Sequence, residues 1–470
     1  MAETRTSALP SWLNAYTLLL AVAGLLRLVR FTALPDDVHE WRQTQTLMLA
    51  QSYEHGANLL LPRALWEGNQ VAVLELPIYS WFVYLLARVV DIVIAGRLLS
   101  LAFGIASIAL FAWLCKRLGH PRPRLATVFF ALTPVAIFYG HAVQPEPLLL
   151  SLVLTAAVAF ELGTESFWWL ALAALSLAIA GTIKPTALVT LTPVIAWQAW
   201  RKRSLLPAGV VLGAGAAAVL GWAAFTRQAL LAVAPGWYYW NSRPDWLWGP
   251  LGLRLSGDFY QTLLFRAFFL LLPPFLVVLL VPAMRRSGIG YWWTWLAGAV
   301  ASCFVFAELS YVHFYYELLA IPALAALAAA GAPAWQPRRL VTVALAILLV
   351  VAAAVRTVPL WQPDPIYAAA GAALGQRTPR QAEVAVVSRQ SVNPYFPDVL
   401  WYAQRSGWNL PPSATAAELD GLTAAHGVCD GVIVLDGSVA SSYSIPSGWN
   451  EEAAGPGYHV IHSQAAACAR

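Results

Sequence analysis

ALPDDVHEWRQTQTLMLAQSYEHGANLLLPRALWEGNQVAVLELPIYSWFVYLLARVVD, residues Ala33 to Asp91, separates two long apolar segments near the start of this 470-residue chain. It carries seven carboxylates (Asp36, Asp37, Glu40, Glu54, Glu67, Glu75, Asp91) and three arginines (Arg42, Arg63, Arg88). Only 11% of the whole chain is charged, and 59% is hydrophobic. A connection between two apolar segments needs only a few residues. So long and charged a loop is what a reaction site beside a membrane would require.

The rest of the sequence is hydrocarbon-like. Mean hydropathy is +0.62, and apolar runs of about 18 to 22 residues recur, the length that crosses a bilayer core. The 22 tryptophans suit the membrane–water interface. The class is therefore mainly α, a polytopic membrane protein. Net charge is +5, which in such a chain reflects basic cytoplasmic loops. No basic tail and no basic–aromatic motif points to nucleic acid. The first apolar run, 12–31, shows no small-residue cleavage site and reads as an uncleaved span.

Candidate spans are 12–31, 91–114, 124–140, 146–162, 166–183, 186–200, 205–225, 262–283, 291–309, 314–332 and 339–357, about eleven in all. Basic clusters test the count. Lys116, Arg117, Arg122 and Arg124, then Arg201, Lys202 and Arg203, then Arg285 and Arg286, then Arg338 and Arg339 all fall on one side by parity. That side should be cytoplasmic. The N-terminus is then cytoplasmic. Loop 33–91, the turn 140–146, the turn 183–186, the Trp-rich loop 227–261, the segment 311–317 and everything after Val358 lie outside. Loop 161–166 carries two glutamates and no base, and acids contribute little to this rule.

Two domains are expected: a transmembrane domain, 1–360, and a small soluble extracytoplasmic α/β domain, 361–470. In the second, 382–388, 431–436 and 458–463 read as strands and 397–406 and 414–426 as helices. There are four cysteines. Cys115 and Cys303 lie in or beside spans and read as packing residues. Cys429 and Cys468 could pair if their region is extracytoplasmic.

Within the first loop, Asp37-Val38-His39-Glu40 has the form of a capping box. It precedes an interfacial helix, Val38 to Tyr53, that lays His39, Arg42, Gln43 and Thr46 on one face. Asp37 and Glu40 either cap this helix or supply a general base for a hydroxyl. Glu75 either partners a helix start or joins an active site. Arg27 and Arg30 either snorkel or guide an anionic lipid group from the bilayer. Arg97 sits inside a span, where an unpaired charge is costly, so it needs an ion pair or an anionic ligand. Lys184, His313, Tyr315 and Tyr316 are further outer-face polar groups. Glu146 starts a helix between two prolines, which does not exclude catalysis. The run 236–248 is either an aromatic belt or a sugar-stacking surface.

The order of short motifs carries a resemblance. His39-Glu40-Trp41-Arg42-Gln43 precedes Gly56-Ala57-Asn58-Leu59-Leu60-Leu61-Pro62-Arg63. Glu75-Leu76-Pro77-Ile78-Tyr79, Gly96-Arg97-Leu98-Leu99-Ser100 and Gln144-Pro145-Glu146 follow. This resembles the GT-C superfamily of membrane glycosyltransferases, in the branch related to protein O-mannosyltransferases and lipid A aminoarabinose transferases (family 39-like). It runs over roughly residues 12 to 320.

The resemblance implies a GT-C-like bundle that transfers a sugar, with inversion, from a polyprenyl-phosphate donor to an acceptor on the extracytoplasmic face of a plasma membrane. It also implies an acid–base site. The family's first loop carries an Asp-Glu pair two residues before an Arg. Here His39 stands at the Asp position, while Glu40 and Arg42 are retained. The catalytic candidates are therefore Asp37, His39, Glu40 and Glu146, the last matching the second family acid. Arg42, Gln43, Glu75, Arg97, Lys184, His313, Tyr315 and Tyr316 are candidates for binding the donor, whose leaving phosphate needs fixed cations. A lysine that often follows the later glutamate is replaced by Leu76. No cofactor is implied, although a divalent metal could bridge carboxylates and phosphate. The acceptor is a lipid, glycan or protein. The absence of any Asn-x-Ser/Thr site suits a bacterial inner membrane. A transporter or flippase of lipid-linked saccharides is the alternative, but such a site usually lies at the midplane. A purely structural subunit would not need these charges on one face.

Overall fold

A computed structural model describes residues 15–66, 70–73, 75–163, 166–233, 244–332, 339–388, 396–436 and 444–469. The first helices are α1 (Ala15–Leu26), α2 (Glu40–Glu54), α3 (Ile78–Ala87) and α4 (Ile92–Arg117). Then come α5 (Pro123–Ala131), α6 (Pro134–Tyr139), α7 (Glu146–Leu162), α8 (Phe167–Ile183), α9 (Thr186–Lys202) and α10 (Leu205–Val233).

Local chemistry sets their ends. The Asp91 carboxylate accepts from the amides of Val93 and Ile94 and starts α4. The Ser166 hydroxyl does the same for α8. Prolines open α5, α6 and α7, where the missing N–H costs nothing.

Each expected span contains helix, but three are broken. Segment 124–140 divides at Thr133-Pro134 into α5 and α6. Segment 262–283 is not one helix: α11 (Gly257–Arg266) gives way to a π-turn at Ala267–Leu271, and Pro273-Pro274 end it. Segment 291–309 becomes α12 (Gly290–Val305) and α13 (Ala307–Val312), with a bend at Phe306. The segment from Phe314 begins as a 3-10 helix, Phe314–Ala320, and continues as α14 (Ile321–Gly331). A last apolar helix, α15, spans Arg339–Thr357. Among the described residues, four helical stretches are long and apolar enough to cross a membrane: Ile92–Arg117, Leu205–Ala232, Phe314–Gly331 and Val343–Arg377.

Small residues let the helices approach closely. A methyl on Gly298 of α12 would overlap the Thr190 carbonyl of α9, and one on Gly331 of α14 would overlap the Leu279 carbonyl.

The C-terminal segment holds α16 (Ile366–Arg377), β1 (Val384–Val387), α17 (Asp398–Ala403), β2 (Gly407–Leu410), α18 (Ala416–His426), β3 (Asp430–Val434), β4 (Trp449–Gly455) and β5 (Tyr458–Ser463). The sheet order is β2-β1-β3-β5-β4, with β1 parallel to β2 and β3, and β5 antiparallel to β3 and β4. Helix α16 and strands β2 and β4 are absent from the sequence expectation, because the Ala- and Gly-rich α16 has few large apolar residues to mark a helical stripe and neither strand carries a clean alternation. The others match it within a few residues. Cys429 and Cys468 form a disulfide that ties the start of β3 to the C-terminus.

Side chains alternate across this sheet. Val384, Val386, Val432, Val434 and Val460 join the core cluster that also contains the bundle and the first loop. Ala385, Val387, Ile433 and Ile461 form a second cluster beneath Leu419 of α18. The first loop also reaches the sheet edge: the Gly407 amide donates to the Leu65 carbonyl at 2.8 Å, and Trp66 bridges to Gly407 in parallel.

Candidate functional site

Helix α2 is the hub of the polar groups. It begins at Glu40, not Val38, because His39 adopts a left-handed conformation with φ 59° and caps without a side-chain bond. The expected capping box is therefore absent. Nor does α2 lie on a surface with one face free. Its residues from Arg42 to Ala50 are all buried, packed between α3, α17 and the bundle. That burial sends successive polar side chains into three separate environments.

The first environment is a cavity of about 260 Å³. Arg42 and Gln45 of α2, Glu75, Lys184, His313, Tyr315 and Tyr316 line its polar side. Trp41, Trp222, Trp246, Phe306 and Phe396 are among its apolar lining. The Arg42 guanidinium pairs with Glu75 Oε1 and donates to Gln45 Oε1 at 2.6 Å. Lys184 Nζ pairs with Glu146 Oε1 and sits 3.9 Å from the Tyr315 ring centroid and 4.5 Å from that of Tyr316. His313 stacks on Tyr315 at 4.9 Å between centroids. Trp41 packs on Phe396 at 4.9 Å, so the C-terminal segment contributes to the rim. Of the expected binding residues, six meet on this cavity, brought from four separate stretches of chain. Of the Trp-rich run 236–248, residues 236–243 lie outside the described residues, while Trp246 lines the cavity.

The second environment is a sealed polar joint. Gln43 Nε2 donates to Asp37 Oδ1 at 2.6 Å, and its Oε1 accepts from the Val143 amide at 3.0 Å. His141 Nε2 lies 4.0 Å from Asp37 Oδ2, and both side chains are fully buried. Gln43 and Asp37 therefore hold the 140–144 turn against α2, away from the cavity lining. Arg97 is 0% exposed and donates to the Arg30 and Leu34 carbonyls. It braces the start of the first loop, and no carboxylate pairs with it directly among the described residues. Arg27 and Arg30 do not snorkel. Arg27 is 1% exposed and donates to the Ala23 carbonyl at 2.7 Å. Arg30 pairs with Asp36 and donates to the Trp361 carbonyl at 3.1 Å.

The third environment joins α2 to α17. Thr44 donates to Asp398 Oδ1 at 2.5 Å. Burial first, then the Asp398 carboxylate, raises the Glu40 carboxyl well above the usual range. Burial also raises Asp398, with the Asp364 charge adding to it. One oxygen of each, Glu40 Oε1 and Asp398 Oδ2, is buried with no hydrogen-bond partner among the described residues. Glu40 is thus turned toward the C-terminal segment and is absent from the cavity lining.

His39 lies between these groups. Its Nδ1 is 2.9 Å from the Tyr139 hydroxyl, and its ring packs on Phe314 at 4.6 Å. Burial, with the Lys184, Arg266 and Arg42 cations, pushes its pKa down to about 3, so it stays neutral. Glu146 is 0% exposed and reaches the cavity only through Lys184.

Among the described residues, no three His, Cys, Asp or Glu side chains converge to hold a metal ion. The expected carboxylates point to different partners, so the residues do not fit a metal bridge. Sequence reasoning did not single out Asp398, His141, Gln45 or Phe396. Asp398 has no local signal, since it meets Thr44 across 354 positions.

No protein-family model matches the chain, and no curated protein matches it. Solved structures do. ArnT from Cupriavidus metallidurans bound to undecaprenyl phosphate is 14% identical with TM-score 0.65, covering 96% of this chain and 98% of that one. Archaeal oligosaccharyltransferase AglB from Archaeoglobus fulgidus, in complex with an inhibitory peptide and a dolichol-phosphate, is 9% identical with TM-score 0.56, covering 90% and 69%. Arabinofuranosyltransferase AftD from Mycobacteria is 18% identical with TM-score 0.53, covering 98% and 40%. The chain shares the GT-C fold of these membrane glycosyltransferases, as its motif order implied.

Proposed function

We propose that the protein is a polyprenyl-phosphate-dependent glycosyltransferase that acts with inversion at the outer face of a plasma membrane. The observation that carries the reading is the cavity where Arg42, Lys184, Tyr315 and Tyr316 converge. Two cations and two phenol groups beside an apolar wall suit a lipid phosphate. The fork of Arg42 matches phosphate oxygens, and Lys184 adds a point charge. The leaving phosphate gains charge as the glycosidic bond breaks, and these fixed donors stabilise that charge. Trp41, Trp246 and Phe396 offer flat apolar surfaces to a sugar ring. The neighbours found with undecaprenyl phosphate and dolichol-phosphate support a lipid-phosphate donor here.

In this reading about eleven segments span the membrane, with the N-terminus inside and residues 361–470 outside as a small domain seated on the first loop. Pentosyl and hexosyl donors, and lipid, glycan or protein acceptors, all satisfy the cavity's chemistry. A flippase is disfavoured, because the polar groups gather at one end of the helices.

The test uses purified protein in nanodiscs with undecaprenyl phosphate carrying mannose, glucose or arabinose and a panel of lipid, glycan and peptide acceptors, read by release of free undecaprenyl phosphate. Arg42→Ala should slow release about 100-fold or more, as removal of one fixed donor does elsewhere. Movement of the intact lipid-linked sugar across vesicles without release would instead establish the transporter.

A further inference from the structure

The inverting reading needs a base beside the anomeric carbon, and the four residues favoured by the sequence do not line the cavity. Asp37 is locked to Gln43 beside His141. Glu40 faces Asp398. Glu146 is spent on Lys184. His39 is a neutral imidazole bound to Tyr139 and protonates only near pH 3, which makes it a weak base.

Glu75 is the one carboxylate on the lining among the described residues. Its side chain is 17% exposed, against 5% for Arg42. Among the described residues, only its Oε1 takes part in a hydrogen bond, to Arg42. Its neighbour Leu76 donates its amide to the Thr182 carbonyl at 3.1 Å, fixing the loop against the end of α8 two residues before Lys184. Glu75 and Lys184 are thereby presented to the same space by one anchored joint.

Resting on the transferase reading, we infer that Glu75 is the general base and that Arg42 holds it until the donor arrives. In the empty site Arg42 neutralises Glu75. When a lipid phosphate enters, Arg42 shares its guanidinium with phosphate oxygens, while its bond to Gln45 keeps it in place. The released Glu75 oxygen then accepts the proton of the acceptor hydroxyl. The acceptor oxygen bonds to the anomeric carbon as the bond from that carbon to the phosphate oxygen breaks. The electron pair leaves on the polyprenyl phosphate, and the proton passes from Glu75 to solvent. The base is therefore armed by donor binding and stays neutralised while the site holds no donor.

The test compares wild type, Glu75→Ala and Glu75→Gln in nanodiscs. Glutamine still offers Arg42 an acceptor, so the loop keeps its anchor. Both variants should bind undecaprenyl phosphate within a few-fold of wild type. Both should lose transfer by about 10²–10⁴-fold, the range expected for a missing general base. Azide carries no proton to remove. It should restore sugar release in Glu75→Ala and yield a glycosyl azide of inverted configuration. A purely structural Glu75 would give no such rescue. Transfer at the wild-type rate in either variant, or loss without azide rescue, would overturn the role of Glu75 while leaving the transferase reading intact. Wild-type protein that neither binds undecaprenyl phosphate nor releases it from the donors would overturn both.

Discussion

The Lys184–Glu146 pair offers the sharpest energetic test of the site. Glu146 is 0% exposed and Lys184 5%. Breaking a buried pair by removing one partner typically costs about 3–5 kcal/mol, because the remaining charge is stranded. In Glu146→Gln, the ammonium keeps the rings of Tyr315 and Tyr316 at 3.9 and 4.5 Å. Such contacts contribute roughly 1–2 kcal/mol when desolvated. The expected loss is therefore at the low end, about 3 kcal/mol. Lys184→Met strands Glu146, whose Oε2 already lacks a partner among the described residues, and should cost at least as much. The double variant Glu146→Leu, Lys184→Met removes both charges and should be far less destabilised than the sum of the singles. A coupling of about 2 kcal/mol or more is expected, within the range for contacting residues. Reversible SDS denaturation of the purified protein, followed by tryptophan fluorescence, measures the cycle. Additive single effects would refute the claim that the two groups form one buried pair. Transfer activity in the stable double variant should still be lost, since Lys184 lines the cavity.

Two further outcomes test the α2–α17 contact and the packing of the helices. Glu40 and Asp398, with Asp36, Asp364 and Tyr402 facing Glu40, have raised folded-state pKa values. The folded state then holds protons that the unfolded chain releases from about pH 4 upward, so stability falls as pH rises through neutrality. Each such proton sets a slope of at most about 1.4 kcal/mol per pH unit. Glu40→Gln or Asp398→Asn should flatten this fall in thermal unfolding between pH 4 and 8, and an unchanged slope would refute the coupling. Gly298→Ala drives a methyl into the Thr190 carbonyl and against Pro193, so it should cost about 1–3 kcal/mol by overpacking, read as a lower melting temperature.

Hydropathy and the first loop already determined a membrane-bound, mainly helical chain with its polar groups gathered toward one end. The motif order from His39 to Glu146 pointed to the right fold, because such motifs are local and can be read directly along the chain. Apolar runs are also local, so the positions of the helices were legible, while prolines at 134 and 273–274 divided two of them. Tertiary structure alone decided which neighbour each polar residue meets. Arg42, Gln43 and Thr44 are consecutive, yet they reach Glu75, Asp37 and Asp398 respectively. A helix turns about 100° per residue, so adjacent side chains on a buried helix must enter different environments. Which environment is the cavity depends on packing from residues hundreds of positions away, and no local pattern encodes that.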